Sequence, residues 1–190
     1  GRSLDARRED QVAEFLAAAE AIAPLSAVVF NVGANVNFPI RETTERVFRK
    51  VWEMACLAGF LTGREAAKIM VPRGEGSIFF TGATASMRGG KGYAAFAAAK
   101  FGLRATAQAM ARELGPQGIH VAHLVIDSGV DTAFVRDRIR ARGGEAAVEA
   151  IQPGQLMEPS SIAEAYWMLH HQSRDAWTHE LDLRPYAETW

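Results

Sequence analysis

Small and polar residues follow three apolar segments of this sequence, and their types suit the binding of a ligand. Asn31-Val32-Gly33-Ala34-Asn35, Thr81-Gly82-Ala83-Thr84 and Asp127-Ser128-Gly129 each come directly after a segment that predicts a buried strand. Ligands of open parallel sheets bind at the carboxyl ends of the strands. One such loop is as often a plain strand end as part of a site, but three together predict a single ligand-binding crevice.

Neither the histidines nor the single cysteine indicates a metal site or a thiol nucleophile. His120 and His123 lie three residues apart on one predicted strand, so their side chains point to opposite faces and suit no shared metal. Cys56 lies on a predicted helix without a histidine at a recognisable partnering distance, which is typical of a buried small side chain. His170-His171 ends an amphipathic segment, where a cation suits the helix dipole. We therefore expect neither zinc nor thiol chemistry.

Four strands and four helices are predicted to position these residues. Short apolar runs predict the strands Ala27–Phe30, Gly76–Thr81, Ile119–Ile126 and Thr178–Arg184. Helical spacing of apolar residues predicts a helix around Val12–Ala19, long helices over Thr43–Met70 and Tyr93–Leu114, and a helix opened by a capping box at Ser161-Ile162-Ala163-Glu164. The segment Asp131–Gln155 is interpreted as a pocket-lining loop without recognisable chemistry.

The alternation of strands with helices, and the apolar interiors of the strands, predict a parallel sheet covered by helices on both faces. No repeat or linker interrupts the sequence, so we expect one α/β domain over residues 1–190.

Composition narrows the classes of partner. The 21 Lys and Arg residues nearly balance the 22 Asp and Glu residues, which leaves no basic field for nucleic acid. No apolar run approaches the length that spans a bilayer, and the first residues lack the apolar stretch of a signal peptide. With one cysteine, the chain cannot form an internal disulfide. We expect a cytoplasmic protein that binds neither nucleic acid nor membrane.

Taken in order, these segments resemble the short-chain dehydrogenase/reductase family over essentially the whole chain, from Leu4 to Leu183. The matching motifs are a strand end whose acidic residue meets adenine, the end of an Asn-Asn-Ala-Gly motif, a Tyr-x-x-x-Lys helix, a turn over the nicotinamide carboxamide and the last strand. In the same order, they fall on Leu4-Asp5, Asn31-Val32-Gly33, Phe96-Ala97-Ala98-Ala99-Lys100, Asp131-Thr132 and Leu181-Asp182-Leu183.

The resemblance implies a Rossmann-like doubly wound parallel sheet with NAD or NADP as cofactor. The implied cofactor-binding residues are Asp5, Asn31, Gly33, Lys100 and Thr132. Lys100 would hydrogen-bond the nicotinamide ribose, the alternative being a solvated helix lysine.

The family's first strand-helix-strand-helix segment has no counterpart before Gly1. That segment carries the Gly-x-x-x-Gly-x-Gly turn that approaches the pyrophosphate. We therefore expect an incomplete domain that binds the cofactor only together with that segment. The choice between NAD and NADP stays open, because the residues that meet the ribose 2′ position belong to it.

Three of the four catalytic positions implied by the family hold other residue types. The Tyr, Ser and Asn positions fall on Phe96, Ala83 and Cys56, and only Lys100 matches. Phenylalanine has no exchangeable proton and cannot be the general acid, a loss that typically costs about 10²–10⁴-fold in rate. Alanine likewise cannot polarise a carbonyl.

Two neighbouring residues can replace the missing groups. Thr84 follows Ala83 and can bring a hydroxyl into the pocket, and Tyr93, one helical turn before Phe96, can bring a phenol. The structural alternatives are that Thr84 caps a strand end and that Tyr93 packs in the core. The loop Arg88-Gly89-Gly90-Lys91-Gly92 lacks the pattern of a phosphate-binding loop and is interpreted as solvated.

Two functions remain open. The first is an NAD(P)-dependent oxidoreductase of altered or weak activity, with a small-molecule substrate that the sequence does not identify. The second is a catalytically inactive dinucleotide-binding, structural or regulatory subunit. Fold alone cannot choose between them, because function depends on the site.

A homodimer or homotetramer is expected through the two long helices. Phe48, Trp52, Phe60 and Phe101 lie off the inward faces of these helices, and a helix that is apolar on several sides is buried on more than one. The resemblance implies the same helix pair at a two-fold interface. The aromatic tail Pro185–Trp190 either reaches a neighbouring subunit or folds onto its own domain.

Overall fold

Four parallel strands form the centre of the molecule, in a computed structural model that describes residues 1–187. The strands are β1 (Ala27–Phe30), β2 (Gly76–Thr81), β3 (Ile119–Ile126) and β4 (Glu180–Leu183). They lie side by side in sequence order, and each pairs with the next in parallel. The predicted parallel α/β sheet is confirmed, and its strands end at one common edge.

Within residues 1–187, six α-helices connect and cover the strands. They are α1 (Glu9–Glu20), α2 (Glu45–Trp52), α3 (Ala58–Met70), α4 (Ala94–Leu114), α5 (Ala133–Glu149) and α6 (Pro159–His170). A π-helical turn, Glu53–Leu57, joins α2 to α3. The long helix predicted over Thr43–Met70 is therefore continuous, with one wider turn that the apolar spacing did not indicate.

One face of the sheet is buried beneath α1, α3 and α4. Phe80 and Ile78 point to this face and are fully buried. Burial of a side chain as large as phenylalanine contributes about 1.5–3 kcal/mol to folding. This core fixes the position of α4, since its residues Leu103 and Ala107 have no exposed surface.

The opposite face is covered by α6, which packs on β2, β3 and β4. Phe79 and Leu169 are buried there, and Tyr166 is partly buried against them. Val29 of β1 remains 45% exposed. The prediction of helices on both faces is thus right for the middle of the sheet and wrong for β1. In addition, the outer edge of β1 has no strand partner among residues 1–187.

Three local predictions are wrong. Asp131–Gln155 is not a loop, because α5 occupies most of it; α5 buries none of its residues, so no apolar stripe marks it. The helix α6 begins at Pro159 with Glu158 as N-cap, so Ser161 lies inside the first turn rather than capping it. Proline suits that first position because its φ angle is already helical. Leu4-Asp5 lies in irregular backbone before α1 and not at the end of a strand.

The described part of the tail folds back onto its own domain. Tyr186 donates a hydrogen bond from Oη to the Pro153 carbonyl at 3.0 Å, and the Ala187 amide donates to the Gly154 carbonyl at 3.1 Å. The predicted tail also includes residues 188–190, which lie outside the described residues. Between residues 1 and 187, no helix has the length and hydropathy needed to cross a membrane.

Candidate functional site

Two adjoining cavities lie at the carboxyl edge of the sheet and form one cleft. The first, of about 570 Å³, contains Lys100 and is called the lysine half. The second, of about 530 Å³, is lined by Arg138 and Arg142 and is called the arginine half. Both cavities are lined by Ala83, Phe96, Ile126 and Ser128. These shared residues form the boundary between the halves.

The three strand ends meet in this cleft, as the sequence predicts. Asn31 and Gly33 follow β1, Thr81 ends β2, and Ser128 lies just beyond β3; all four line the lysine half. Thr132, the N-cap of α5, lines it too. The cleft thus gathers polar groups from three parallel strands, which is the place where such sheets bind ligands.

Lys100 is buried on α4 rather than solvated. Its side chain is only 4% exposed, and Nζ donates a hydrogen bond to the Thr81 carbonyl at 2.7 Å. Nζ also lies 5.9 Å from the centre of the Phe96 ring. Burial lowers the pKa of Lys100 to about 8. An ammonium has three donors, so Lys100 can offer further hydrogen bonds to a ligand in the lysine half.

The boundary between the halves carries no proton donor at the positions that the resemblance implies. Phe96 and Ala83 both face the cleft, and neither has a hydroxyl. The Ala83 amide donates to Ser86 Oγ at 3.1 Å, which holds this backbone in place. Hydride chemistry at this boundary therefore needs a proton from elsewhere.

Thr84 lines the arginine half, but its hydroxyl is engaged. Its side chain interacts with the carboxylate of Asp127, which is 1% exposed, and this interaction lowers the pKa of Asp127. Arg88 also binds Asp127, with N–O distances of 3.0 and 3.2 Å. Burial alone would raise the pKa of Asp127, but the interactions with Thr84 and Arg88 hold it below its usual value. Thr84 and Arg88 thus both interact with the residue that follows β3.

Tyr93 lines the arginine half beside Phe96, and its hydroxyl makes no hydrogen bond with the residues that the structure describes. It is the N-cap of α4 and packs partly against the core. The preceding loop is fixed, since the Phe38 amide donates to the Gly92 carbonyl at 2.9 Å. Gly92 has φ +82, and a Cβ there would lie 2.7 Å from Asn37. The glycine-rich loop is solvated as predicted, and its Arg88, Gly89 and Gly90 also line the cleft.

Cys56, at the implied Asn position, lies in the π-helical turn and lines neither half of the cleft. Burial raises its pKa, and the hydrogen bond with Thr106 and the nearby Lys100 ammonium only partly oppose that effect. A buried thiol with a raised pKa is inert, in agreement with its interpretation as a small core residue.

Asp5 does not reach the cleft. Its carboxylate accepts hydrogen bonds from Arg7, the shortest at 2.6 Å, and these hold the Asp5 pKa at about 2. Asp5 lines neither the lysine half nor the arginine half. Its predicted contact with a cofactor is therefore outside the cleft that the other predicted residues share.

The histidines of β3 do lie on opposite faces. His123 Nδ1 bonds Glu180 at 3.1 Å on the α4 side, and burial lowers the pKa of His123 to about 4. His120 stacks on Trp177 on the other side, at 4.9 Å between ring centres. Among residues 1–187, no group of three or more His, Cys, Asp or Glu side chains could hold a metal ion.

Three cleft residues were missed from the sequence. Tyr166 of α6 lines the lysine half, where its hydroxyl lies 2.5 Å from Thr81 Oγ1, and burial raises its pKa. Arg138 and Arg142 of α5 line the arginine half. Their four-residue spacing would have placed them on one face of a helix, had that segment been interpreted as helical.

The chain is similar to known proteins over most of its length. Residues 2–180 match the family model for enoyl-(acyl carrier protein) reductase. Among solved structures, a short-chain dehydrogenase from Rhodopseudomonas palustris is 57% identical, with a TM-score of 0.79 over 97% of this chain and 74% of the other. Actinorhodin polyketide ketoreductase, solved with NADPH, shares the fold at 22% identity, with a TM-score of 0.86 over 97% of this chain and 76% of the other.

Curated relatives match at lower identity. A (21S)-21-acetoxyl-apo-melianone synthase from Melia azedarach is 28% identical over 66% of this chain and 47% of its own length. The 3-oxoacyl-[acyl-carrier-protein] reductase MabA of Mycobacterium avium is 34% identical over 62% of this chain and 47% of its own length. The chain thus spans about half the length of the curated relatives that it matches.

Proposed function

We propose that this chain, which belongs to the short-chain dehydrogenase/reductase family, is an NAD(P)-dependent oxidoreductase in which Tyr93 replaces the usual proton donor. NAD(P) use is typical of that family. The observation that carries the proposal is that Tyr93, whose hydroxyl makes no hydrogen bond with residues 1–187, lines the cavity that Phe96 and Ala83 border. The other candidate donor, Thr84, is engaged with Asp127.

The lysine half fits the nicotinamide end of such a cofactor. Lys100 has unused N–H donors, and Asn31, Thr132 and Ser128 bring polar groups to the same cavity of about 570 Å³. A bound NAD(P)H supplies the hydride. Lys100 would hold the ribose hydroxyls, and Tyr93 would donate its proton to the oxygen of a carbonyl substrate lying beside Phe96.

The pyrophosphate needs further support. Among residues 1–187, no strand leads directly into a glycine-rich turn and helix of the kind that binds it. β1 has an unpaired outer edge and an exposed Val29, a surface onto which another strand fits. The proposal therefore includes a strand-turn-helix segment that pairs with β1 and completes the cofactor site.

We infer that Phe96 slows proton transfer without preventing cofactor binding. A tyrosine-to-phenylalanine variant of ElxO, which shares the fold at 20% identity, was solved with NADPH bound. The second candidate function, a non-catalytic dinucleotide-binding subunit, is favoured by the residue types at Phe96, Ala83 and Cys56.

Substitution of Tyr93 tests the proposal in the full-length protein. We expect Tyr93→Phe to lower kcat for NADPH-dependent reduction of a panel of ketones and aldehydes by about 10²-fold, because the proton donor is lost. The matched control is Tyr186→Phe, since Tyr186 is 85% exposed and lies outside the cleft. A Tyr93→Phe protein as fast as the wild type would contradict the proposal, as would a larger loss with Thr84→Val. Cofactor binding without turnover of any compound would support the non-catalytic candidate.

A further inference from the structure

The arginine half has a pronounced charge asymmetry. Among residues 1–187, sixteen line this cavity; they include Arg88, Arg138 and Arg142 and no aspartate or glutamate. The rest of the lining is apolar or uncharged, with Phe96, Ile126 and Val135 among the apolar side chains. Apolar walls lower the local dielectric constant and strengthen the attraction of a cation for an anion.

One face of α5 supplies this charge. Val135, Arg138, Ile139 and Arg142 are three, four and seven residues apart, so they share one face of the helix, and all four line the cavity. The face alternates apolar and cationic side chains. It can contact the carbon skeleton of a ligand and its charged end at the same time.

Ion pairs distinguish the four arginines of α5: two are paired with acidic residues, and the two that line the cavity are not. Arg136 binds Asp131 at 2.5 Å, and Arg140 binds Asp137 and Glu145; neither arginine lines the cavity. Arg138 lies 5.7 Å from the Phe134 ring and, like Arg142, forms no ion pair with the described residues. The acids of the segment thus neutralise the outward arginines and leave the two cavity-facing ones available.

Arg88 contributes little to this free charge. Both of its terminal nitrogens bind the Asp127 carboxylate, which also pairs with Arg184, and Arg184 pairs in turn with Asp182. This cluster of two arginines and two aspartates is close to neutral. The available positive charge therefore lies at the α5 side of the cavity, away from the boundary formed by Ala83 and Phe96.

We infer that the arginine half takes a substrate with an anionic group, a carboxylate or a phosphate-type group, which Arg138 and Arg142 bind while its carbonyl lies near Tyr93 and Phe96. This inference rests on the proposed function for the carbonyl end only. A planar guanidinium binds two oxygens of such anions at once. The cavity of about 530 Å³ is within the usual range for small-molecule sites.

Binding of small ketones that differ only in charge tests the inference. Calorimetric titration of the full-length protein, with and without NADP⁺, would compare levulinate with the neutral methyl propyl ketone and with acetonylphosphonate. We expect the levulinate Kd to be about tenfold lower than that of the neutral ketone and to rise with salt. Tighter binding of acetonylphosphonate than of levulinate would identify the phosphate type as the preferred anion, and the reverse would identify the carboxylate.

Variants of α5 assign the effect to residues. Arg138→Gln and Arg142→Gln should each raise the Kd of the preferred anionic ketone several-fold, and the double variant should abolish the difference from the neutral ketone. Arg140→Gln is the matched control, because Arg140 lies on the same helix but outside the cavity. Circular dichroism would verify folding.

Equal Kd values for anionic and neutral ketones, or an equal loss with Arg140→Gln, would overturn the inference. Because binding is measured without turnover, an inactive protein that still prefers the anion would contradict only the proposed function. An active reductase without that preference would contradict only the anionic substrate.

Discussion

The two halves of the cleft differ in the residue types that line them and in how deeply the helices that carry those residues are buried. The lysine half contains the groups that the family resemblance implies, with Asn31, Lys100 and Thr132 together in one cavity. The boundary that both halves share has Phe96 and Ala83 where a tyrosine and a serine are implied, and only the arginine half adds Tyr93. Holding a dinucleotide and moving a proton depend on different side chains. In the proposed function, these two tasks can therefore change independently within one cleft.

The helix of the lysine half is held more firmly by the core than the helix of the arginine half. Lys100 lies on α4, whose inner face is buried against β2 and β3. The arginines lie on α5, which buries none of its residues and has a non-helical Gly144 inside it. Segments with few buried apolar contacts open at low free-energy cost. The lysine half is thus held by the core, whereas the arginine half can adapt to its ligand.

Restoring the implied hydroxyls at the boundary would give both halves of the cleft the proton donors that the resemblance implies. We expect Phe96→Tyr with Ala83→Ser to raise the rate of ketone reduction by about 10²–10⁴-fold in the full-length protein. The new phenol would lie beside the Lys100 ammonium, whose Nζ is 5.9 Å from the Phe96 ring. Steady-state kinetics with NADPH measures the change.

Phe15→Tyr is the matched control, because it adds a phenol to a partly exposed side chain of α1, outside the cleft. If the double variant binds cofactor but reduces nothing faster, the arginine half differs from a reductase site by more than two side chains.

Removing the Lys100 charge should weaken cofactor binding in the lysine half and raise the free energy of unfolding. For Lys100→Met, we expect the NADPH Kd to rise about tenfold, from the loss of a charged hydrogen-bond donor. Burial lowers the pKa of Lys100 from 10.5 to about 8, so the charged form is disfavoured in the folded state. Each pKa unit corresponds to about 1.4 kcal/mol. The variant also loses the hydrogen bond to Thr81, so we expect its free energy of unfolding at pH 7 to exceed that of the wild type by about 2 kcal/mol.

The pH dependence gives the sign of this effect. Below pH 8, Lys100 is protonated in both states, so the wild type bears the full cost of the buried charge. Between about pH 8 and pH 10.5, Lys100 keeps its proton in the unfolded chain but has lost it in the folded chain. The stability of the wild type therefore rises with pH relative to that of the variant. Urea unfolding of both proteins at pH 7 and pH 10 measures this. A gain that did not shrink with pH would contradict the assignment.

We propose that the chain forms a two-fold homo-oligomer through α2, α3 and α4. Phe48, Trp52, Phe60 and Phe101 are between 38% and 42% exposed on these helices. Trp52→Glu would place a charge in the contact, so light scattering should show the mass falling to that of one chain. Lys50→Glu, a charge reversal on the same helix, should leave the mass unchanged. A wild-type protein that is already monomeric would refute the interface.

Local sequence patterns were sufficient for most of the scaffold. The strand Ile119–Ile126 was predicted with its observed bounds, because buried parallel strands have apolar interiors. The helix α5 was missed because Arg136, Arg138, Arg140 and Arg142 give it no apolar stripe, and its adjacent glycines resemble a loop. Periodicity detects burial, and a helix that buries no residue is invisible to it.

The sequence by itself determined the order of the elements and the meeting of three polar strand ends, because both follow from short-range periodicity and the common direction of parallel strands. Only the tertiary structure decided which polar groups are available. Thr84 interacts with Asp127, forty-three residues later in the chain, whereas the hydroxyl of Tyr93 makes no hydrogen bond with residues 1–187. In the same way, Arg140 is neutralised and Arg142 faces the cavity. Hydrogen bonds and ion pairs depend on distances of a few ångströms between residues far apart in sequence, which spacing along the chain does not specify.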